Sequence, residues 1–243
     1  MWASFGWGTL AASTLVIGAV LALLFHISLR TIGLIMGFGA GVMISAVAFD
    51  LVQEAADKAT ANWPLVVGMF AGCAVFAGGD WLIDRAGGGK RKDPTGGQES
   101  GSALAIVLGS VLDGIPESMV IGLTIFEGGK VGAAYLIAVF ISNLPESISS
   151  TAGLATGGWK SSRILWMWIG IALVSGLASL VGYSLFQNAS PNTVAFVLTF
   201  AAGAILTMLA DTMIPEGYEH GGKWVGVVTT LGFVVAFVIH TLD

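Results

Sequence analysis

The sequence predicts an all-α integral membrane protein with eight transmembrane helices. Hydrophobic residues make up 55% of the 243 residues and charged residues only 10%, whereas a soluble domain has about 25% charged residues. Apolar stretches of about 20 residues, which is long enough to cross a bilayer, recur along the whole chain. Two of them contain a related polar motif. We therefore treat residues 1–243 as a single transmembrane domain within a lipid bilayer.

The predicted spans are separated by short polar breaks, with one exception. Residues 86–101 are rich in Gly, Lys, Asp, Pro and Ser, a composition typical of a flexible loop. A single cysteine excludes an internal disulfide framework and a cysteine-based metal cluster. The net charge of -5 gives no reason to expect a nucleic-acid partner. The spans cover about residues 5–29, 32–53, 63–84, 102–126, 131–156, 164–187, 192–214 and 223–241.

Positive charge predicts the orientation, because cytoplasmic loops carry an excess of Lys and Arg. With the N-terminus outside, the outer loops hold only Lys58 and Lys130. We therefore expect both termini outside, the 86–101 loop in the cytoplasm, and a plasma (inner) membrane location. The eight remaining basic residues then fall in inner loops: Arg30, Arg85, Lys90, Arg91, Lys92, Lys160, Arg163 and Lys223.

Spans 2 and 7 contain an internal repeat. Glu54 follows Phe38 by sixteen positions in span 2, and Glu216 follows Phe200 by sixteen positions in span 7. The two spans run in opposite directions, so the repeat is inverted. We predict a 3+2+3 arrangement in which spans 1–3 and 6–8 are related by a pseudo-two-fold axis in the membrane plane. Such repeats are typical of transporters.

The polar motif occurs once in span 4 and once in span 5. Residues 113–118 read Asp-Gly-Ile-Pro-Glu-Ser, and residues 142–147 read Ser-Asn-Leu-Pro-Glu-Ser. A carboxylate inside the bilayer costs a few kcal/mol or more, and a proline within a helix leaves a backbone carbonyl without its amide donor. One alternative is a helix kink with each Glu satisfied locally. Two such motifs at matched depth instead favour a polar site for a cation.

Oxygen atoms dominate the predicted site. Asp113 and Glu117 lie one turn apart on span 4, and Ser142, Asn143 and Glu146 lie close together on span 5. Carboxylate, amide, hydroxyl and freed carbonyl oxygens suit hard or borderline divalent cations. The sequence therefore predicts a divalent metal as transported cargo, and we expect no resident cofactor.

These motifs resemble those of the ZIP (zinc/iron permease) transporters, which carry His-Asn-x-Pro-Glu in helix 4 and a related motif in helix 5. Residues 40–55 and 214–216 are also similar to that family's helices 2 and 7. The resemblance implies eight helices in a 3+2+3 bundle, termini outside, and a variable cytoplasmic loop after helix 3. Because the family often dimerises, it also implies a homodimer.

By position, the resemblance implies that Glu117 and Glu146 are the bridging glutamates of the transport site. Asp113 replaces the helix-4 histidine, and Ser142 and Asn143 occupy the first two helix-5 positions. Met43 matches a helix-2 ligand position, whereas Gly114 and Ser175 replace residues of a second metal site. We therefore expect one metal site, and the loss of histidine weakens selectivity for zinc over manganese or ferrous iron.

Other polar residues lie near the ends of the spans. We predict that Asp50 and Glu54 lie at the outer mouth and that Asp211, Glu216 and His220 lie at the inner one, where they gather and release cations. The alternative is that they are helix-end charges solvated by lipid headgroups. Gly33, Gly37 and Gly41 form a small-residue stripe on span 2. The sequence does not distinguish internal packing, sliding between bundles and a dimer face for this stripe.

The sequence therefore predicts transport of a divalent metal cation (zinc, manganese or iron class) into the cytoplasm. One alternative is a membrane metal sensor that does not transport, and another is a similar transporter for protons or a monovalent cation. We do not expect an enzyme, because the chain has no His-Glu-x-x-His motif, nucleophile motif or phosphate-binding loop.

Overall fold

The computed structural model describes residues 2–88, 94–95, 103–128 and 133–242. This part of the chain forms eight long helices, which confirms the predicted all-α class and fits the eight predicted spans in number. Of the predicted loop at 86–101, residues 89–93 and 96–101 lie outside the described residues. The helices are α1 (Trp2–Leu24), α2 (Leu29–Lys58), α3 (Trp63–Ile83), α4 (Ala103–Gly128), α5 (Ala133–Thr156), α6 (Ser161–Leu185), α7 (Pro191–Gly221) and α8 (Trp224–Leu242).

Six of the described helices are long and apolar enough to cross a membrane, namely α1, α2, α3, α6, α7 and α8. The two others, α4 and α5, are the helices that carry the polar motifs and an internal proline each. In hydrocarbon a helix satisfies its own backbone hydrogen bonds, so a chain with this many apolar helices is a multi-pass integral membrane protein.

Helices α2 and α7 are longer than the sequence predicted, and each contains a π-helical segment. The segments cover Val47–Gln53 in α2 and Leu209–Met213 in α7. A π turn inserts one residue without ending the helix. Both helices therefore continue past the predicted span ends at 53 and 214. The predicted end of span 1 at 29 was also wrong, because Ser28 is the N-cap of α2 and accepts a hydrogen bond from the Thr31 amide.

The helices pack as two groups. Helix α1 packs on α5 and α6, and α4 packs on α6, which forms a first group. In the second group, α2 packs on α8 and on the C-terminal part of α7, and α3 packs on α7. Contacts of α2 with α5 and of α4 with α7 join the groups. The motif helices α4 and α5 thus belong to the first group. Helix α4 contacts the second group at α7, and α5 contacts it at α2.

Both chain ends lie at the same end of the bundle. Ser179 donates a hydrogen bond to the Ser4 carbonyl, and the Thr60 amide donates to the Asn192 side chain. His240, near the end of α8, contacts Asp50 on the second half of α2. We call this the terminal end of the bundle, and the end that contains the α1–α2 connection is the opposite end.

The glycine stripe on α2 serves internal packing. A Cβ atom at Gly33 would collide with the backbone of Gly217 and Gly221, and one at Gly41 would collide with the carbonyl of Thr229. These contacts lie on α7 and α8 of the same chain, so the stripe does not form a dimer face. Gly203 of α7 faces the Met69 carbonyl of α3 in the same way. Close approach of backbones is the general reason for small residues between membrane helices.

Candidate metal-binding site

The residues predicted to bind metal are all buried in the bundle. Asp113 and Glu117 are each 3% exposed on α4, and Met43 of α2 is fully buried. The α5 residues Ser142, Asn143 and Glu146 are buried as well. Burying carboxylates in a membrane protein is costly, and such residues generally mark a functional site.

Hydrogen bonds orient the polar side chains of α5. The Ser142 hydroxyl donates to the Val139 carbonyl at 3.1 Å, one turn back in the same helix. The Asn143 amide nitrogen donates to the Ala11 carbonyl of α1 at 3.4 Å. Because the nitrogen of Asn143 points to α1, its amide oxygen is the atom left for a cation. The Ser142 oxygen likewise keeps lone pairs for a ligand.

Helix α2 brings Met43 to the face that meets the α5 motif. Gly39 lies one turn before Met43, on the same side of the helix. A Cβ at Gly39 would lie 3.1 Å from the Pro145 ring and 2.8 Å from the Met213 methyl group. Met213, which reaches this region from the π segment of α7, was not singled out from the sequence. The one sequence feature that could have indicated it is its position directly before Ile214, Pro215 and Glu216 in the span 7 copy of the repeat.

The two positions expected to lack ligands for a second metal face each other. A Cβ at Gly114 of α4 would lie 3.4 Å from the Ser175 hydroxyl of α6. The structure therefore brings Gly114 and Ser175 together, as the resemblance to the ZIP transporters implied. Neither carries a carboxylate or an imidazole.

The carboxylates of the motifs do not form a compact cluster. Among the residues that the structure describes, no three His, Cys, Asp or Glu side chains are grouped closely enough to hold one metal ion. Helices α4 and α5 also make few direct contacts with each other. A cation here would have to use amide, hydroxyl and backbone oxygens together with one or two carboxylates, or draw the helices closer.

The predicted mouth residues differ in their surroundings. At the terminal end, Asp50 lies 2.6 Å from His240, and Glu54 forms an ion pair with Lys58 at 3.5 Å. At the other mouth, Asp211 is exposed. Glu216 and His220 are half-buried on the last two turns of α7.

Two residues near Asp50 were missed by sequence reasoning. His240 was not singled out from the sequence, but it contacts Asp50. Tyr135 of α5 is 1% exposed and lies within electrostatic range of both Glu117 and Asp50. No pattern in the sequence signalled either contact, because the partners lie on different helices.

A cavity of about 480 Å³ opens at the opposite end of the bundle. It lies between the end of α1, the start of α2 and the last turns of α5, and His26 and Ile148 are among its lining residues. Ile148 is two positions after Glu146. The cavity thus approaches the α5 motif from the side away from the chain termini.

No protein-family model matches the sequence. The chain is 28% identical over 223 residues to the zinc transporter ZupT of Salmonella typhimurium (strain LT2), a match that covers 86% of this chain and 84% of the relative. ZupT of Salmonella enteritidis and ZupT of Salmonella agona match with the same identity and coverage. The chain is therefore a distant homologue of these zinc transporters over most of its length.

Proposed function

We propose that this protein carries a divalent metal cation across the membrane into the cytoplasm. The observation that carries the proposal is the pair of buried carboxylate motifs on α4 and α5, inside a bundle of apolar helices. A metal ion is the occupant that best offsets the cost of burying Asp113, Glu117 and Glu146. Similarity to the ZupT zinc transporters supports transport over catalysis.

The proposed transport site lies in the middle of the bundle, at the level of the two prolines. Glu117 and Glu146 are the principal ligands, and Asp113 and the Asn143 amide oxygen complete the oxygen set. Ser142 and Met43 are additional ligands. The orientation of Asn143 by the Ala11 carbonyl supports this assignment, as does the contact of Gly39, one turn before Met43, with Pro145 of the α5 motif.

The proposed architecture is a 3+2+3 inverted repeat. In its support, the helix pairs correspond when α1–α3 are exchanged with α6–α8 and α4 is exchanged with α5. The α1–α5 pair then matches α6–α4, and the α2–α8 pair matches α7–α3. On this basis the group of α1, α4, α5 and α6 moves against the group of α2, α3, α7 and α8.

The proposed route runs from the terminal end to the opposite end. The distribution of Lys and Arg supports termini outside a plasma (inner) membrane. The 480 Å³ cavity at the opposite end is then the cytoplasmic half of the path. Asp50 and Glu54 would attract cations outside, and Asp211, Glu216 and His220 would receive them inside. A homodimer is part of the proposal by the family resemblance alone.

Zinc is the first candidate among metals because the homologues are zinc transporters. Manganese and ferrous iron are close candidates, since the proposed ligands are oxygens and a thioether. Oxygen ligands favour harder divalent cations than histidine does.

The test is uptake of zinc, manganese, iron(II), cadmium, magnesium and calcium into liposomes that contain the purified protein. We expect the Glu117→Ala/Glu146→Ala double variant to abolish uptake of the transported metal. The matched control is Asp57→Ala/Glu219→Ala, which also removes two carboxylates but from exposed positions. This control should transport at the wild-type rate.

The alternatives give different results in the same assay. Saturable metal binding by a folded protein without flux would favour the membrane metal sensor. Flux of protons or a monovalent cation that divalent metals do not inhibit would favour the variant transporter. Equal loss of uptake in the double variant and in the control would contradict the proposed site.

A further inference from the structure

A histidine–carboxylate pair lies at the terminal end of the bundle, outside the proposed transport site. His240 Nδ1 is 2.6 Å from Asp50 Oδ1, and the contact joins α8 to the π segment of α2. The His240 side chain is 32% exposed and that of Asp50 is 15% exposed. The pair is therefore accessible from this end of the protein while it remains largely buried.

The pair fixes which nitrogen of His240 can bind a metal. An ionised carboxylate only accepts hydrogen bonds, so Nδ1 of a neutral His240 carries the proton and Nε2 carries the lone pair. A carboxylate behind a histidine in this way orients the ring, as at many protein metal sites. The ring also packs against Phe49, with 5.6 Å between the ring centroids.

Tyr135 interacts electrostatically with the aspartate of this pair and with a glutamate of the proposed transport site. Its hydroxyl is buried and has no hydrogen-bond partner among the residues that the structure describes. The same hydroxyl lies within electrostatic range of Asp50 on α2 and Glu117 on α4. Burying a hydroxyl without a partner is unfavourable, and a water molecule on a cation between the two carboxylates would satisfy it.

We propose that His240, Asp50 and Tyr135 form a second cation-binding site, which a borderline divalent cation occupies before it reaches Glu117. The proposal rests on the proposed transport function and extends it. His240 Nε2 binds the ion, Asp50 supplies negative charge and orients the imidazole, and Tyr135 donates a hydrogen bond to a water molecule on the ion. We call this the outer site.

The outer site supplies a ligand type that the proposed transport site lacks. The transport-site residues offer oxygens and one thioether, whereas His240 offers an imidazole nitrogen. Imidazole favours zinc and other late transition metals over manganese, magnesium and calcium. The preference for zinc is therefore set at the outer site, before the ion reaches the oxygen-rich site in the middle of the bundle.

The experiment removes the transport site first, so that zinc at the outer site can be measured alone. Zinc is titrated into the full-length Glu117→Ala/Glu146→Ala variant, and its ligands are identified by X-ray absorption spectroscopy. We expect one zinc ion per chain with a nitrogen ligand. Adding His240→Ala should remove the nitrogen signal and weaken binding at least tenfold. Adding Glu219→Ala, which removes an exposed acid towards the opposite end of the bundle, should change neither.

A second measurement separates this proposal from the transport function. In an otherwise wild-type chain, His240→Asn should lower the ratio of zinc to manganese uptake at least fivefold while manganese uptake persists. Size-exclusion chromatography verifies that the variant is folded. The outer site would be refuted by a nitrogen signal that survives His240→Ala, or by the absence of bound zinc in the double variant. Nitrogen-coordinated zinc in a wild-type protein without flux would instead refute transport and retain the outer site.

Discussion

Helices α2 and α7 have the same backbone plan but different polar side chains. Each begins with a serine cap, Ser28 in α2 and Ser190 in α7, whose hydroxyl accepts a hydrogen bond from the amide three residues later at 3.2 Å. The π segments begin at Val47 and Leu209. The two caps are 162 positions apart (28 to 190), and so are the starts of the two π segments (47 to 209). This common offset fixes the register between the two helices.

This register does not align the two aspartates. Asp50 corresponds to Thr212, and Asp211 precedes that position by one residue, which is about 100° around a helix. Asp50 accordingly faces His240, whereas Asp211 is exposed. Thr212 is buried and donates to the Met208 carbonyl at 2.8 Å. The repeat thus preserves a backbone irregularity but places an aspartate at position 50 of α2 and a threonine at the equivalent position 212 of α7, so the two ends of the bundle differ chemically.

The largest expected effect tests the close backbone packing that α2 and α7 share. Gly41→Ala and Gly203→Ala would each drive a methyl group into a backbone carbonyl of a neighbouring helix. Because a carbonyl within a helix cannot rotate away, we expect a loss of about 3 kcal/mol in the free energy of unfolding for each variant. SDS titration of the detergent-solubilised protein measures this loss.

The matched controls for the glycine variants are Gly170→Ala and Gly226→Ala. Both glycines lie within helices, and a Cβ atom at either would meet nothing within 4 Å. Alanine has a higher helix propensity than glycine, by about 1 kcal/mol, so these variants should be as stable as the wild type or slightly more stable. Equal destabilisation at all four positions would show that close approach is not the reason for glycine in α2 and α7.

The fold was largely predictable from the sequence, and the contacts at the outer site were not. Each apolar stretch satisfies its own backbone in lipid, so the pattern of apolar stretches and polar breaks predicts the eight helices. A π turn has no hydrophobic signature, and the lengths of α2 and α7 were therefore underestimated. The Asp50–His240 contact joins residues 190 positions apart, and no local spacing predicts such a pair.

The second prediction tests the asymmetry between Asp50 and Asp211. Asp50→Asn keeps the shape of the side chain but removes the negative charge beside His240. One charge near a partly exposed cation is worth about 1–4 kcal/mol, so the metal concentration for half-maximal uptake should rise about tenfold. Asp211→Asn should shift it less than twofold, because Asp211 is exposed. Equal shifts for the two variants in liposome uptake would contradict the assigned difference between the ends.

The smallest effect should be the same in both helices. Ser28→Ala and Ser190→Ala each remove the side chain that satisfies an amide of the first turn, which costs about 1 kcal/mol. The SDS titration should therefore show similar losses for the two variants. Ser184→Ala is the control, because this exposed serine only bonds back to the Leu180 carbonyl within α6. Neither serine is a ligand of a proposed cation site, so the two variants test only the shared backbone plan. A loss of stability for one cap but not the other would mean that α2 and α7 differ in backbone plan and not only in polar side chains.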